Sequence, residues 1–400
     1  MKRPRAVFLL VALMAASASP AAAFYEYGDG ENYFEARGLL RLYGGVSQNP
    51  DIPSLYAARD DGMAVAEGRL IAAGRAGPNL AFDFNGHLYG SYAGSDPQKT
   101  REVERSGAFE WTLRDEKRDA ARFAVDQLFL TVSTGRFDLR AGRQPIGLAT
   151  CFYFTPNDFF SPFAAQNFYR VYKPGVDAAR LDFRAGALSQ ISVIHAFGYA
   201  AAPAGANGYA NSPDSGGATN IGRAAITFAS FEWALLAGKI KDDTVIGGAL
   251  QGELFSWLGV RAEGHSRESA AATYLEIATG LERRFSNSLT IRYEHFHNGA
   301  GASSPSAYRL GATPYPGREY GALGFSYEFT PLLTGQLLAL ANWNDSSQAL
   351  ALHGAYSLSD ESELAFGVSV PRGAPPSSTG AQSEYGSYPL SAYADFRVYF

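Results

Sequence analysis

SAYADFRVYF, residues 391–400, alternates without a break. Phe400, Val398, Phe396, Ala394 and Ala392 fall on every second position, and Tyr399, Arg397, Asp395, Tyr393 and Ser391 fill the other set. Successive side chains of a strand point to opposite faces, so the segment reads as a strand with one apolar and one polar side. An apolar face of this kind meets either a soluble core or lipid, and the rest of the chain decides which.

Residues 1–23, MKRPRAVFLLVALMAASASPAAA, have a basic start (Lys2, Arg3, Arg5), an apolar stretch from Ala6 to Met14 and a small-residue end at Ala21-Ala22-Ala23. That pattern predicts a secretory signal peptide, with the mature domain over 24–400; its apolar part is too short to span a bilayer as a helix. The chain is acidic, with a formal charge of −5, and removal of three basic residues makes it more so. Charged residues make up only 18%, aromatics 14% and glycines 43 of 400 residues, yet nothing after Ala23 is long and apolar enough for a transmembrane helix. A single cysteine, Cys151, excludes an internal disulfide, and no Cys-x-x-Cys-His binds a haem.

The alternation recurs. Dyad-patterned segments lie at 32–45, 62–75, 79–93, 121–134, 136–147, 176–186, 188–200, 219–229 and 231–240. They continue at 243–256, 257–267, 272–284, 287–298, 318–329, 331–345, 347–357, 361–371 and 387–400. These segments predict an all-β, antiparallel transmembrane barrel of about eighteen strands, within a range of roughly 16–20, because ten-residue alternating segments are the signature of membrane strands. In NLAFDFNGHLYGSY, Leu80, Phe82, Phe84, Leu88 and Tyr92 oppose Asp83, Asn85, His87 and Ser91; in SLTIRYEHF, Leu289, Ile291 and Tyr293 oppose Thr290, Arg292 and Glu294. The connections alternate between long (46–61, 94–120, 148–175, 201–218, 299–317, 372–386) and short, which predicts long external loops, short periplasmic turns and both chain ends on the periplasmic side. Tyr43, Tyr92, Tyr293, Trp343 and Tyr388 sit at strand ends and suggest aromatic girdles. A secreted soluble β-sandwich or β-helix is the alternative, and it explains neither the girdle positions nor the one-sided loops.

Phe396, Val398 and Phe400 then face lipid. An alternating strand with a final Phe resembles the last strand of bacterial outer-membrane proteins, and the resemblance implies that these three residues are read by the barrel-assembly machinery. A second resemblance is local. RFDLRAGRQPIG followed by FTPNDFFSP resembles a pattern of the Gram-negative outer-membrane porin superfamily, on Gly142, Arg143, Gln144, Asn157, Asp158 and Phe159. It covers about a tenth of the chain and implies a water-filled channel in the cell outer membrane for passive diffusion of small hydrophilic solutes or ions. The implied partners are the bilayer, lipopolysaccharide, the assembly machinery and the solutes themselves. A homo-oligomer stays open, as does the alternative of a barrel sheath around a partner such as a multihaem cytochrome. No cofactor and no nucleic-acid partner are expected.

The connection at 148–175, after the fifth strand, carries Phe152, Tyr153, Phe154, Phe159, Phe160, Phe163, Phe168, Tyr169 and Tyr172 together with Pro156, Pro162 and Pro174. A loop so apolar and so stiffened is expected to bury itself in the lumen as a constriction, since a barrel of this size is open unless something folds in. Capping the rim or contacting a neighbouring subunit is the alternative. By strand parity Arg140, Arg180, Arg184, Asp138 and Asp182 face the lumen near the loop, and Glu276, Glu282, Arg292 and Glu294 face it across the barrel. They are candidate pore-lining residues that either set a transverse field or pair to hold the wall. Asp158 is expected to cap its own turn and to face the arginines.

Enzyme chemistry finds no support. The six histidines are scattered, and His295 and His297 share a face that reads as lipid-directed, so they lack further metal ligands. GDGENYF lacks the strand and helix of a nucleotide loop, and Cys151 has no nearby His to activate it.

Overall fold

The computed structural model describes residues 25–28, 30–53, 55–93, 104–160, 162, 165, 172–200, 212–310, 313–377 and 380–400. The expected signal peptide lies outside the described residues, as do Phe163, Phe168 and Tyr169 of the aromatic loop. The alternating segments form β1 (Tyr25–Gly28), β2 (Asn32–Gln48), β3 (Asp60–Ala76), β4 (Leu80–Ala93), β5 (Glu110–Asp115), β6 (Asp119–Thr134) and β7 (Phe137–Gln144). They continue as β8 (Val176–Gly186), β9 (Ser189–Ala196), β10 (Thr219–Phe228), β11 (Phe231–Ile240), β12 (Asp243–Leu254), β13 (Leu258–Glu268) and β14 (Thr273–Arg284). The last are β15 (Thr290–Asn298), β16 (Glu319–Thr330), β17 (Leu333–Asn342), β18 (Ser347–Ser359), β19 (Ser362–Arg372) and β20 (Leu390–Tyr399).

Each barrel strand pairs antiparallel with its neighbours around the ring, and β20 pairs back with β2 from Leu39↔Tyr399 to Gln48↔Leu390, so the ring of strands closes on itself. The result is a closed barrel of 18 strands. All eighteen expected segments are staves of it. The two remaining strands are short and not staves. β1 pairs with the start of β2 (Tyr25↔Ala36), continuing the line on which β20 ends, and β5 lies along the loop end of β6.

Chain direction sorts the connections into two ends. One end carries tight turns such as Ala229-Ser230, whose φ angles of 52° and 65° are those of a two-residue hairpin turn matched to strand twist. The other end carries the long connections, with tight ones at 241–242 and 343–346 among them.

The outer surface is apolar, with Leu235 at 72% and Leu70 at 53% exposed. Large aromatics ring the tight-turn end: Phe228, Phe255, Trp257 and Phe329 are exposed, and Arg283 lies 4.4 Å from the Trp257 ring. Tyr92, Tyr293 and Trp343 face outward as a girdle requires. Tyr43 and Tyr388 do not. Tyr43 shares the inner face with Asp395 and stacks on Tyr393 at 5.6 Å, while Tyr388 packs on Tyr385 within the 373–389 connection. Strand-end position alone selected them, and parity in one case and a folded loop in the other decided against it.

Candidate functional site

The site begins at the end of β7. Gly142 holds a φ of +121°, and a Cβ there would lie 2.4 Å from the Leu128 carbonyl oxygen, so only glycine allows this approach. Beside the kink Arg143 is buried, its Nε donating to Asp177 Oδ1 at 2.6 Å and its other nitrogens to the carbonyls of Val125 (3.0 Å) and Ser106 (2.7 Å). Gln144 donates to the Ala178 carbonyl at 2.9 Å. These residues fix the direction in which the chain leaves the wall.

From there the chain crosses the lumen. The backbone N–H groups of Thr150 and Cys151 donate to Glu263 Oε2 on β13, the latter at 2.8 Å, and that of Asn157 donates to Glu263 Oε1 at 3.0 Å. The N–H groups of Phe152, Tyr153 and Phe154 donate to the Glu294 carboxylate on β15 at 2.6, 2.8 and 3.0 Å. Two carboxylates, 2% and 1% exposed, thus satisfy six backbone donors of an irregular segment, which would otherwise be costly to bury. The Phe152 ring lies 4.2 Å from both Arg261 and Arg292. Phe154 stacks on Phe296 at 5.2 Å within a buried cluster of Tyr320, Ala322, Leu338 and Leu340 from β16 and β17. A segment leaving between β7 and β8 reaches β13 to β17 only through the barrel interior. At its far end the loop returns, with the Lys173 carbonyl accepting from Gln127 at 2.9 Å and the Tyr172 ring 4.7 Å from Arg69.

The wall from β19 across the seam to β6 carries a chain of charges. Arg397 pairs with Asp395 and, at 3.3 Å, with Glu363; Arg41 bridges Asp395 at 2.8 Å and Glu67 at 3.8 Å. Arg69 continues from Glu67 (2.6 Å) to Asp126 (2.8 Å), which also meets His87 and Arg105. Buried ions of this density persist only with such pairing.

The candidate pore residues are therefore split between walls. Arg140, Arg180, Asp182 and Arg184 lie on neighbouring β7 and β8, with Arg180 in register with Arg140. Arg180 pairs with Asp182 at 2.9 Å, Asp182 also accepts from Gln190 and Ser192, Arg184 pairs with Asp138 at 3.4 Å, and Arg140 stands 5.3 Å from the Phe129 ring. Arg292 pairs with Glu282 on the opposite wall. Arg180, Arg184 and Arg292 thus each have an acidic partner, whereas Arg140 and Glu276 have no ion pair among the described residues. Glu294 holds the loop, and Glu276 faces His265 in register. Asp158 forms its ion pair with Lys173 of the same loop, whereas Arg180 and Arg184 take the partners just named; Leu148 and Phe160 of the loop cluster with Val176, Ala178, Ile194 and Ile221 of β8 to β10, and Phe154 packs against β15 to β17. Phe396, Val398 and Phe400 have outward parity, and Phe400 packs on Leu40, Leu42 and Ala66.

The anchoring acid Glu263 escaped the sequence reading, although Arg261, Glu263, His265 and Arg267 alternate along β13 as a polar inner row. A further signal lay in QLLALA on β17, apolar on both faces, which is what a strand with lipid outside and a packed loop inside requires. Cys151 is buried against Ala278, and burial pushes its thiol well up, which makes it inert. His295 and His297 lie on the outer face and share Glu319 at 3.1 and 2.6 Å.

No family model matches the chain, and a comparison with curated proteins finds no match. Solved structures do match. OccAB3 of Acinetobacter baumannii aligns with a TM-score of 0.61 at 11% identity over 92% of this chain and 99% of that one. A BenF-like porin from Pseudomonas fluorescens Pf-5 gives 0.58 at 12% over 92% and 98%, and OccK2 (OpdF) of Pseudomonas aeruginosa gives 0.57 at 10% over 92% and 97%. At such identities the likeness establishes the fold, and by fold this chain is an 18-stranded barrel of the kind these porins share.

Proposed function

We propose that the protein is a porin of the outer membrane, a channel for passive diffusion of small hydrophilic solutes or ions. The observation that carries this reading is the loop at 148–175, tied by Glu263 and Glu294 to the wall opposite its origin, so that it narrows the bore without filling it from a separate plug domain. The apolar outer face and aromatic ring suit a bilayer, with lipopolysaccharide on the long-loop side and the barrel-assembly machinery reading the outward residues of β20. The sheath alternative loses support, because a lumen crossed by its own loop lacks a clear bore for a folded partner such as a cytochrome. Planar-bilayer recording of the purified barrel tests the proposal. Stepwise ohmic currents are expected, and a protein that inserts without conducting would overturn it.

A further inference from the structure

On the long-loop side of the constriction lies a cavity of about 690 Å³, within the range that holds small ligands. Its charges are largely neutralised. Arg267 pairs with Asp243 at 2.7 Å, Lys241 with Glu104 at 3.5 Å and Asp158 with Lys173. Glu276 is different: among the described residues its carboxylate has neither an ion pair nor a hydrogen bond, although it lines the cavity from the inner face of β14.

A second, independent feature stands beside it. His265 is in register with Glu276 on the neighbouring strand, 3% exposed, and its Nε2 has no partner. The Asn157 amide donates to the Gly248 carbonyl at 2.9 Å, which turns its Oδ1 toward His265 Nδ1 at 3.2 Å. An amide oxygen only accepts, so Nδ1 carries the proton and Nε2 presents a lone pair. Cross-strand neighbours have Cβ atoms about 5 Å apart. Two acceptors therefore sit side by side, with Arg267, already paired to Asp243, the charge nearest to both, and they are walled by the rings of Phe159, Tyr274 and Phe296, whose faces attract cations. Arg309, the other unpaired charge of the cavity among the described residues, is exposed on the 299–318 connection, where salt screens it within about 8–10 Å.

We infer that this cavity is a binding site for small organic cations, an ammonium group on an apolar or aromatic body, with Glu276 and His265 as acceptors for the ammonium. The inference deepens the channel reading and rests on it for access to the cavity. A solute held there is captured before the constriction.

The test uses the full-length barrel and 2-phenylethylammonium as probe, with 2-phenylethanol and phenylacetate as comparators. Binding is measured by calorimetry in detergent and, separately, as blockade of current in planar bilayers. The ammonium compound is expected to bind, with both comparators at least tenfold weaker. Glu276→Gln, checked for assembly by heat-modifiable gel migration, is expected to weaken binding about tenfold or more, as loss of a charge-assisted hydrogen bond does, and Glu276→Asp to retain most of it. Equal binding to wild type and Glu276→Gln, or equal binding of phenylacetate, would overturn the inference. Conductance without ammonium binding removes this site and leaves the channel; binding without conductance does the reverse.

Discussion

Phe154 donates its backbone N–H to Glu294 Oε2 at 3.0 Å, joining two residues 140 positions apart across the interior of the barrel. The same carboxylate holds the two preceding N–H groups. Glu294 on β15, with Glu263 on β13, thus fixes where the loop lies.

Glu294→Ala is therefore expected to release the loop. Leaving three backbone donors without a protein acceptor costs about 1–3 kcal/mol for each that stays buried, so the segment undocks instead. Single-channel conductance should rise and the loop become protease-sensitive, with barrel migration on a gel unchanged. Unaltered conductance would mean that apolar packing of Phe154 suffices.

Gly324 offers a steric route to the same state. A Cβ at this position would lie 1.8 Å from the Tyr153 hydroxyl oxygen. Gly324→Val is expected to displace Tyr153 and raise conductance, and adding Tyr153→Ala should restore packing at β16 without restoring the constriction.

The closing seam depends on Arg41, which spans Asp395 on β20 and Glu67 on β3. Asp395 is 1% exposed and keeps Arg397 when Arg41 is removed. Arg41→Ala is expected to destabilise the barrel by about 2 kcal/mol, below the 3–5 kcal/mol of a fully broken buried pair. The temperature at which the folded gel band disappears should fall, and Arg397→Ala should lower it further.

The 373–389 connection carries a pH dependence. Glu384, fully buried on it, accepts from Tyr320 Oη at 2.7 Å, Asn342 Nδ2 at 2.8 Å and Tyr388 Oη at 3.2 Å. Burial, with Asp345 adding to it, pushes its carboxyl up to about 7 against the lowering effect of those hydrogen bonds. A raised folded-state pKa means that the docked loop binds the proton more tightly than the released loop, so this contribution is present at acid pH and is lost as pH rises through about 7. Hydrogen exchange of residues 380–390 should be slower at pH 6 than at pH 8.5 after correction for intrinsic rates, and Glu384→Gln should remove the difference.

Period-two alternation was enough to place every stave, because a strand between lipid and water presents opposite chemistry to its two faces over most of its length. β1 and β5 went unseen for the same reason: they are short pieces with no face-to-face demand. Parity also placed Arg140, Arg180, Glu276, Arg292 and Glu294 on the inner face. What those charges do lay beyond it. Glu294 and Arg180 share inward parity, yet one binds backbone amides of a distant loop and the other pairs with Asp182.

The sequence by itself determined the barrel, its strand count to within about two, its two faces and an aromatic loop that has to bury itself somewhere, since each follows from local periodicity and from the cost of leaving aromatics in water. Only the tertiary structure decided where that loop docks, which acids hold it and which carboxylate stays unpaired. Those outcomes depend on contacts between residues more than a hundred positions apart, set by barrel closure and the height at which each strand stands, and no local pattern encodes that geometry.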